Sequence, residues 1–250
     1  MTKKARENTE TLDEFSLIQK LTAPLVVTAE DGKEGFAVGV GDDCAVLPSG
    51  DASHQLLSVD TLVEDVHFRR RYGSPEDLGW KTLAVSVSDI AAMGGRPKGC
   101  LLSLQRSADV EFEYLERMYT GLSAAAEYFA APLIGGDTVS SSTFALSLSI
   151  LGVSSRSPVL RQGAAVGDDL WVSGVIGEAK AGLMSLEQER SFTEQGDALS
   201  LAIARSLRPM PRLKLGQALA DASLVSSMID ISDGLLQDAG HISKSSKVCL

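Results

Sequence analysis

The chain has 250 residues, enough for one large domain or two smaller ones around a sizeable core. Hydrophobic residues make up 44% of it and the formal charge is −10, which argues against broad adhesion to nucleic acid or to anionic membrane but leaves room for an anionic substrate carried on cations. No stretch approaches the ~20 uncharged apolar residues of a membrane span. The start lacks the apolar core of a signal peptide. Cys44, Cys100 and Cys249 are few, far apart and without metal spacing, which suits a reduced cytoplasmic compartment.

In chain order, residues 1–10 are polar and read as loose. Thr11-Leu12-Asp13-Glu14 has the form of a capping box, and Leu12, Phe15, Ile18 and Leu21 carry helical spacing behind it. Pro24 ends that helix, Leu25-Val26-Val27 reads as a short strand, and Asp31 to Gly35 as a turn. Ser74-Pro75-Glu76-Asp77 opens a helix with an N-cap serine, an N1 proline and first-turn acids. Trp80, Leu83, Ala84, Val87, Ile90 and Ala91 line one of its faces, and Gly94-Gly95 stops it. A strand is predicted over 99–104, and a long helix over 109–130 with Phe112, Leu115, Met118, Tyr119 and Leu122 on one face. Residues 144–153 alternate as a strand, with Phe144, Leu146, Leu148 and Ile150 inward. The glycine- and proline-bearing stretch 154–167 is the predicted boundary between a first domain, 1–153, and a second, 154–250. Beyond it, strands are predicted at 170–174 and 225–231, and helices from Gly177 to Leu186, around Leu213 to Leu219, and from Leu235 to about Lys244. Residues 187–195 form an exposed charged run. The ordering of strands and helices suits a mixed α+β or α/β fold.

Acids recur where apolar runs end: Gly41-Asp42-Asp43-Cys44, Ser58-Val59-Asp60, Ile134-Gly135-Gly136-Asp137 and Met228-Ile229-Asp230-Ile231-Ser232-Asp233. Each close carboxylate pair costs about 1–4 kcal/mol in solvated surroundings, so gathering them calls for a counter-ion. Hard divalent cations take oxygen ligands, and magnesium commonly bridges carboxylates to substrate phosphates. The pattern predicts a magnesium–nucleotide site assembled from distant segments. Asp89 sits inside the 75–92 helix off its apolar face; it reads as a solvated helix acid or, beside Ser86 and Ser88, as a group facing a polar cleft.

The common nucleotide signatures are absent. There is no Gly-x4-Gly-Lys-Ser/Thr loop. Gly39-Val40-Gly41 starts a dinucleotide pattern, but Cys44 stands at its third glycine. The Asp230–Gly234 run is too compressed for a calcium loop. His54, His67 and His241 form no zinc spacing, and there is no serine-hydrolase elbow.

Taken together and in this order, Gly41-Asp42-Asp43-Cys44-Ala45, Ser58 to Val63, His67-Phe68, Ser88 to Gly94, Ile134 to Thr138 and Ile231 to Leu235 resemble the thiamine-monophosphate kinase family, within the ATP-binding superfamily shared with aminoimidazole ribonucleotide synthetase. The resemblance runs from about Glu14 to Lys244. It implies ATP-dependent phosphorylation of thiamine monophosphate to thiamine diphosphate by direct transfer, with several Mg2+ ions. By position it implies metal ligation by Asp43, Ser58, Val59 through its backbone, Asp60, Asp89, Asp137, Asp230 and Asp233. Of these, Asp43, Asp60, Asp89, Asp137 and Asp233 would be catalytic. Tyr119, Gly136, Asp137, Arg161 and Ser232 would touch ATP, and His67 the thiamine phosphate. The implied fold has an N-terminal mixed sheet with helices, forming a barrel-like homodimer interface, followed by a second α/β domain. Val59 stands where a hydroxyl residue is expected, which is tolerable if only its carbonyl ligates. Family members continue beyond the position of Leu250 with a Gly-Gly-Glu-Asp-Tyr-Glu segment and a late aromatic, so the second domain is expected to be incomplete.

Two rivals share the superfamily. Selenophosphate synthetase would want a reactive cysteine in residues 1–30, which contain none, and a hydrogenase-maturation dehydratase would want a C-terminal cysteine, which Cys249 only approximates. A non-catalytic nucleotide-binding fragment is the rival of another class.

Overall fold

The computed structural model describes residues 14–22, 38–49, 53–188 and 198–250. The capping box at Thr11, the strand at 25–27, the turn at 31–35 and most of the charged run at 187–195 lie outside these residues. Helix α1 spans Glu14–Thr22. Strands β1 (Ala45–Pro48), β2 (His54–Val63), β3 (Arg96–Arg106), β4 (Leu133–Ser140) and β5 (Ala145–Ser154) form one mixed sheet in the order β1-β2-β5-β3-β4. β5 runs antiparallel to both β2 and β3, so those two are parallel to each other, and β3 pairs parallel with β4. Parallel neighbours need long crossovers. These are supplied by α2 (Pro75–Ala92) between β2 and β3 and by α3 (Phe112–Phe129) between β3 and β4.

Both long helices cover one face of the sheet. Ser74 caps α2 as expected: its side chain accepts from the Asp77 N–H at 3.2 Å, and Asp77 accepts in return from the Ser74 N–H at 2.9 Å. Leu83, Ala84, Val87 and Ile90 of α2 meet Leu56, Leu102, Leu146, Leu148 and Ile150 of the strands in a buried core. From α3, Leu115, Met118 and Leu122 join that core, whereas Phe112 and Tyr119, expected on the same face, are exposed. Phe112 is the first helical residue, with no turn ahead of it to cover it. Trp80 stacks at a tilt on Phe129 and donates through Nε1 to the Pro209 carbonyl at 3.0 Å.

The two helices approach so closely that a Cβ at Gly79 would stand 1.9 Å from the Met118 carbonyl oxygen, and one at Gly121 would stand 1.9 Å from that of Glu76. Backbone cannot move aside as a flexible side chain can. Gly121→Val is therefore expected to destabilise the protein by about 3 kcal/mol or more, lowering the melting temperature by roughly 6–12 °C, as differential scanning calorimetry would show.

After Ser154 the described elements are helices: α4 (Glu178–Glu187), α5 (Ala198–Leu207), α6 (Leu213–Asp221) and α7 (Leu235–Ser246). The strands expected at 170–174 and 225–231 do not form. Their apolar alternation suits a pleated surface, yet no neighbouring strand hydrogen-bonds to them among the described residues. Leu170, Trp171 and Val175 are exposed as a result. α6 docks on α2, where the Gly216 Cα lies against the Ala91 carbonyl.

Candidate functional site

Strand pleat and helix period together build the acidic site. Along β2, Leu56, Ser58, Asp60 and Leu62 face the helices, while Leu57, Val59 and Thr61 face the open side. Asp60 and Asp137 thus lie within strands, not at their ends as the apolar runs suggested, and Asp230 lies in a loop. Asp89 is one turn from the end of α2 and opposite Ser58, whose hydroxyl donates to Asp89 Oδ2. Ser88, beside it, donates to Asp230 Oδ2 at 2.7 Å. Asp43 arrives from the loop before β1. One carboxylate oxygen from each of Asp43, Asp89 and Asp230 falls within 4.8 Å of the other two. Asp89 therefore faces a polar cleft and is not a solvated helix acid.

Arg161 closes this cluster from the segment after β5. Its Nη2 donates to Asp43 Oδ1 at 2.6 Å and its backbone N–H to Asp42 Oδ2 at 3.0 Å. One cation against several carboxylates leaves the group under-neutralised. Burial pushes Asp43 up to about 7 against the relief given by Arg161, with Asp230 and Asp42 adding to the rise. Burial and then the charge of Asp60 push Asp89 well above the carboxylate range. Asp60 and Asp230 are raised as well, burial being the main cause in both. Among the described residues, Asp43 Oδ2 and Asp60 Oδ2 are buried without a hydrogen-bond partner. An all-oxygen donor set with orphaned, inward-facing carboxylate oxygens fits a hard divalent cation.

The other expected site residues separate into groups. Asp137 pairs in register with Ser103, which pairs with Ser147, which pairs with Thr61. It therefore lies three strand spacings from β2, about 14 Å, on the open face of the sheet. At the β4 edge of the sheet, Asp137, Gly136 and Tyr119 line a shallow groove of about 320 Å³ with Leu102 and Leu133. Gly136 is tightly placed, since a Cβ would stand 1.9 Å from the Leu102 carbonyl oxygen. Val59 points to the open face, so only its main chain remains near the acids. Ser232 and Asp233 sit in the loop before α7. The buried Asp238 carboxylate orders that loop by accepting from the Ser232 and Gly234 N–H groups, each at 3.0 Å. Asp233 is exposed and accepts from Gln237 at 2.9 Å. His67 lies in the turn after β2, where its Nδ1 accepts from the Val63 N–H at 3.0 Å.

Asp42 and Ser88 belong to the site too; the sequence places Asp42 in an acid motif and Ser88 beside Asp89 but assigns neither a role of its own. Asp42 holds the Arg161 backbone, and Ser88 holds Asp230. The available signal was adjacency: each directly precedes an acid that was identified.

This architecture, a mixed sheet covered by two crossover helices with acids delivered from β2, α2 and the loop before β1, is that of a known class of domain. Residues 41–154 match the family of AIR synthase related proteins, N-terminal domain. Over 241 residues the chain is 36% identical to the thiamine-monophosphate kinase of Bacillus subtilis (strain 168), covering 96% of this chain and 72% of that protein. Over 234 residues it is 41% identical to the thiamine-monophosphate kinase of Escherichia coli (strain K12), covering 93% and 69% respectively. The solved structure of AaThiL complexed with AMPPCP and TMP superposes with a TM-score of 0.84 at 35% identity, covering 96% of this chain and 72% of that one. The chain belongs to the thiamine-monophosphate kinase family.

Proposed function

We propose that the chain transfers the γ-phosphoryl group of ATP to thiamine monophosphate, giving ADP and thiamine diphosphate. A phosphate oxygen of the acceptor attacks the γ-phosphorus, the bond from that phosphorus to the β,γ-bridging oxygen breaks, and the electron pair leaves with ADP. A phosphate is already an anionic nucleophile, so positioning and charge neutralisation carry the reaction and no strong general base is required. The observation that carries this reading is the convergence of Asp43, Asp89 and Asp230 with orphaned oxygens on Asp43 and Asp60. The family and the co-complex of a similar protein with an ATP analogue and TMP point the same way.

Asp43, Ser58, Asp60, Asp89 and Asp230, with the Val59 carbonyl, would hold magnesium; Asp137 and Asp233 are the candidates for holding further ions. Bound magnesium would neutralise the triphosphate. Arg161, which donates to Asp43, could instead fork two oxygens of a nucleotide phosphate bound beside the acids. Tyr119 and Gly136 would receive the nucleotide in the shallow groove, and Ser232 a phosphate oxygen through the loop ordered by Asp238. We further propose that two copies pair through the open sheet face, where Leu57, Val59, Leu101 and Val139 are exposed on a surface a barrel would cover. The division at 153/154 is supported by the sheet closing at Ser154, and a reducing cytoplasmic setting by three free cysteines. No described helix is long and apolar enough to cross a membrane.

The test is purified chain with ATP, Mg2+ and a panel of phosphate acceptors, with products resolved by chromatography. ADP release that depends on thiamine monophosphate and matches thiamine diphosphate formed is expected. ADP release indifferent to that acceptor, or faster with another, would overturn the reading.

A further inference from the structure

A cavity of about 190 Å³ lies between the turn after β2, the first half of α2, and helices α4 and α5. Its walls are apolar at Phe68, Leu78, Tyr114, Leu183 and Leu207, and three cationic side chains and His67 reach it. Two of those cations are already neutralised. Arg69 pairs with Asp65 at 3.7 Å and Glu187 at 4.0 Å, and Arg70 pairs with Glu64 and Asp109. Lys81 differs. Among the described residues it has no ion-pair partner, and its Nζ reaches only the His67 main-chain carbonyl, at 3.5 Å. Burial alone lowers its pKa, with no carboxylate opposing the shift. A half-buried ammonium without a counter-ion is costly to fold around, and an anionic ligand would offset that cost.

The position of Lys81 indicates which anion. On α2, Lys81, Val85, Ser88 and Asp89 fall at i, i+4, i+7 and i+8, along one face. The helical rise separates Lys81 from Asp89 by about 12 Å. The far end of this stripe is fixed in the acid cluster by the Ser88–Asp230 and Ser58–Asp89 hydrogen bonds. The lysine cavity therefore lies along the same helix face as the acids, at the Lys81 end, and a γ-phosphoryl group would be held at the acid end. The group that must lie next to it is the acceptor phosphate. His67 adds a second donor, because its Nδ1 is occupied as an acceptor and its Nε2 is left to carry the proton.

We propose that Lys81 binds the phosphate of the acceptor, with its ammonium on the side away from the acid cluster. The proposal rests on the reading of the chain as a kinase of thiamine monophosphate. The reaction brings two anionic phosphates together, and a cation on the non-attacking oxygens of one offsets their repulsion while leaving the attacking oxygen clear. The apolar walls suit the ring end of the same molecule.

Lys81→Met keeps the stem and removes the charge. It is expected to weaken binding of thiamine monophosphate, by calorimetry, about 10- to 100-fold, the range of one charge-assisted hydrogen bond. Affinity for AMPPCP is expected to stay within about twofold, as is affinity for unphosphorylated thiamine. Lys81→Arg is expected to recover part of the loss. Unchanged thiamine monophosphate affinity in Lys81→Met would overturn the proposal. So would equal weakening of thiamine and thiamine monophosphate, which would make Lys81 a strut for the His67 turn. Wild-type protein that forms no thiamine diphosphate overturns the proposed function itself, whereas wild-type turnover with an unaffected Lys81→Met variant overturns only the lysine's role.

Discussion

Asp89→Asn is expected to raise the melting temperature of the metal-free protein while lowering phosphoryl transfer by about 10²- to 10³-fold, the usual cost of removing one preorganised electrostatic group. Both effects have one cause. The Asp89 carboxyl is held well above its ordinary pKa by burial first and then by Asp60, with Asp230 and Asp43 adding to the rise against the Ser58 hydrogen bond. A carboxyl whose folded pKa is raised keeps its proton longer in the folded state. Its stabilising contribution is complete below the unfolded value near 3.8 and is lost as pH rises through about 7 for Asp43 and higher for Asp89. Metal-free wild-type protein should therefore melt lower at pH 9 than at pH 6. The asparagine amide is isosteric, carries no charge and can donate to its neighbours, so the variant should lose much of that slope. Each kcal/mol relieved is worth about 2–4 °C in a chain of this size. Added magnesium should raise the wild-type melting temperature at pH 8 and the variant's far less. A variant with full magnesium-dependent stabilisation and full turnover would show that Asp89 is not part of the metal-binding group.

Much of this arrangement is legible in the sequence because local chemistry and tertiary structure agree. The Ser74-Pro75 start of α2, its buried face and its glycine stop all form where propensity puts them, and β5 buries the side it should. Asp60 and Asp89 come together because the pleat of β2 and the period of α2 turn both into the space between sheet and helix, and loops bring Asp43 and Asp230 to them. Two kinds of feature were not legible. Whether 170–174 and 225–231 pair as strands depends on a neighbour to hydrogen-bond with, which apolar alternation does not specify. Helix α5, Ala198–Leu207, went unread beside the charged run that precedes it. Asp137 is the instructive site residue. Its Gly-Gly-Asp motif resembles the other acid motifs, yet the register of β4 sets it about 14 Å from β2 on the opposite face. Register is a property of paired strands, and one strand's residues do not encode it alone.

Arg161→Met is expected to destabilise the metal-free protein by about 2–4 kcal/mol at pH 8.5, or roughly 5–15 °C, and by clearly less at pH 6. The Asp43 side chain is only 1% exposed, and Arg161 is its counter-ion, with Nη2 at 2.6 Å and Nε at 3.3 Å from Oδ1. Removing one member of a buried pair strands the other, which costs more than the pair itself contributes. Asp43 has an escape that a lone arginine would lack: already pushed up to about 7, it can take a proton in place of the guanidinium. Without Arg161 its pKa rises further, so at pH 6 the folded variant holds a neutral acid and loses little, while at pH 8.5 it must carry a buried charge. Magnesium should restore much of the loss at the higher pH by supplying the missing positive charge to the same oxygens. Calorimetric scans at the two pH values, with and without magnesium, check each part, and wild-type stability at pH 8.5 would show that Asp43 does not depend on this partner. Titration with AMPPCP then separates two roles for the arginine. If the guanidinium moves from Asp43 to the nucleotide phosphates when magnesium takes over the carboxylate, the variant should bind the analogue at least about tenfold more weakly in saturating magnesium. Unchanged affinity would leave Arg161 as a counter-ion that stands in for the metal and has no part in holding the nucleotide.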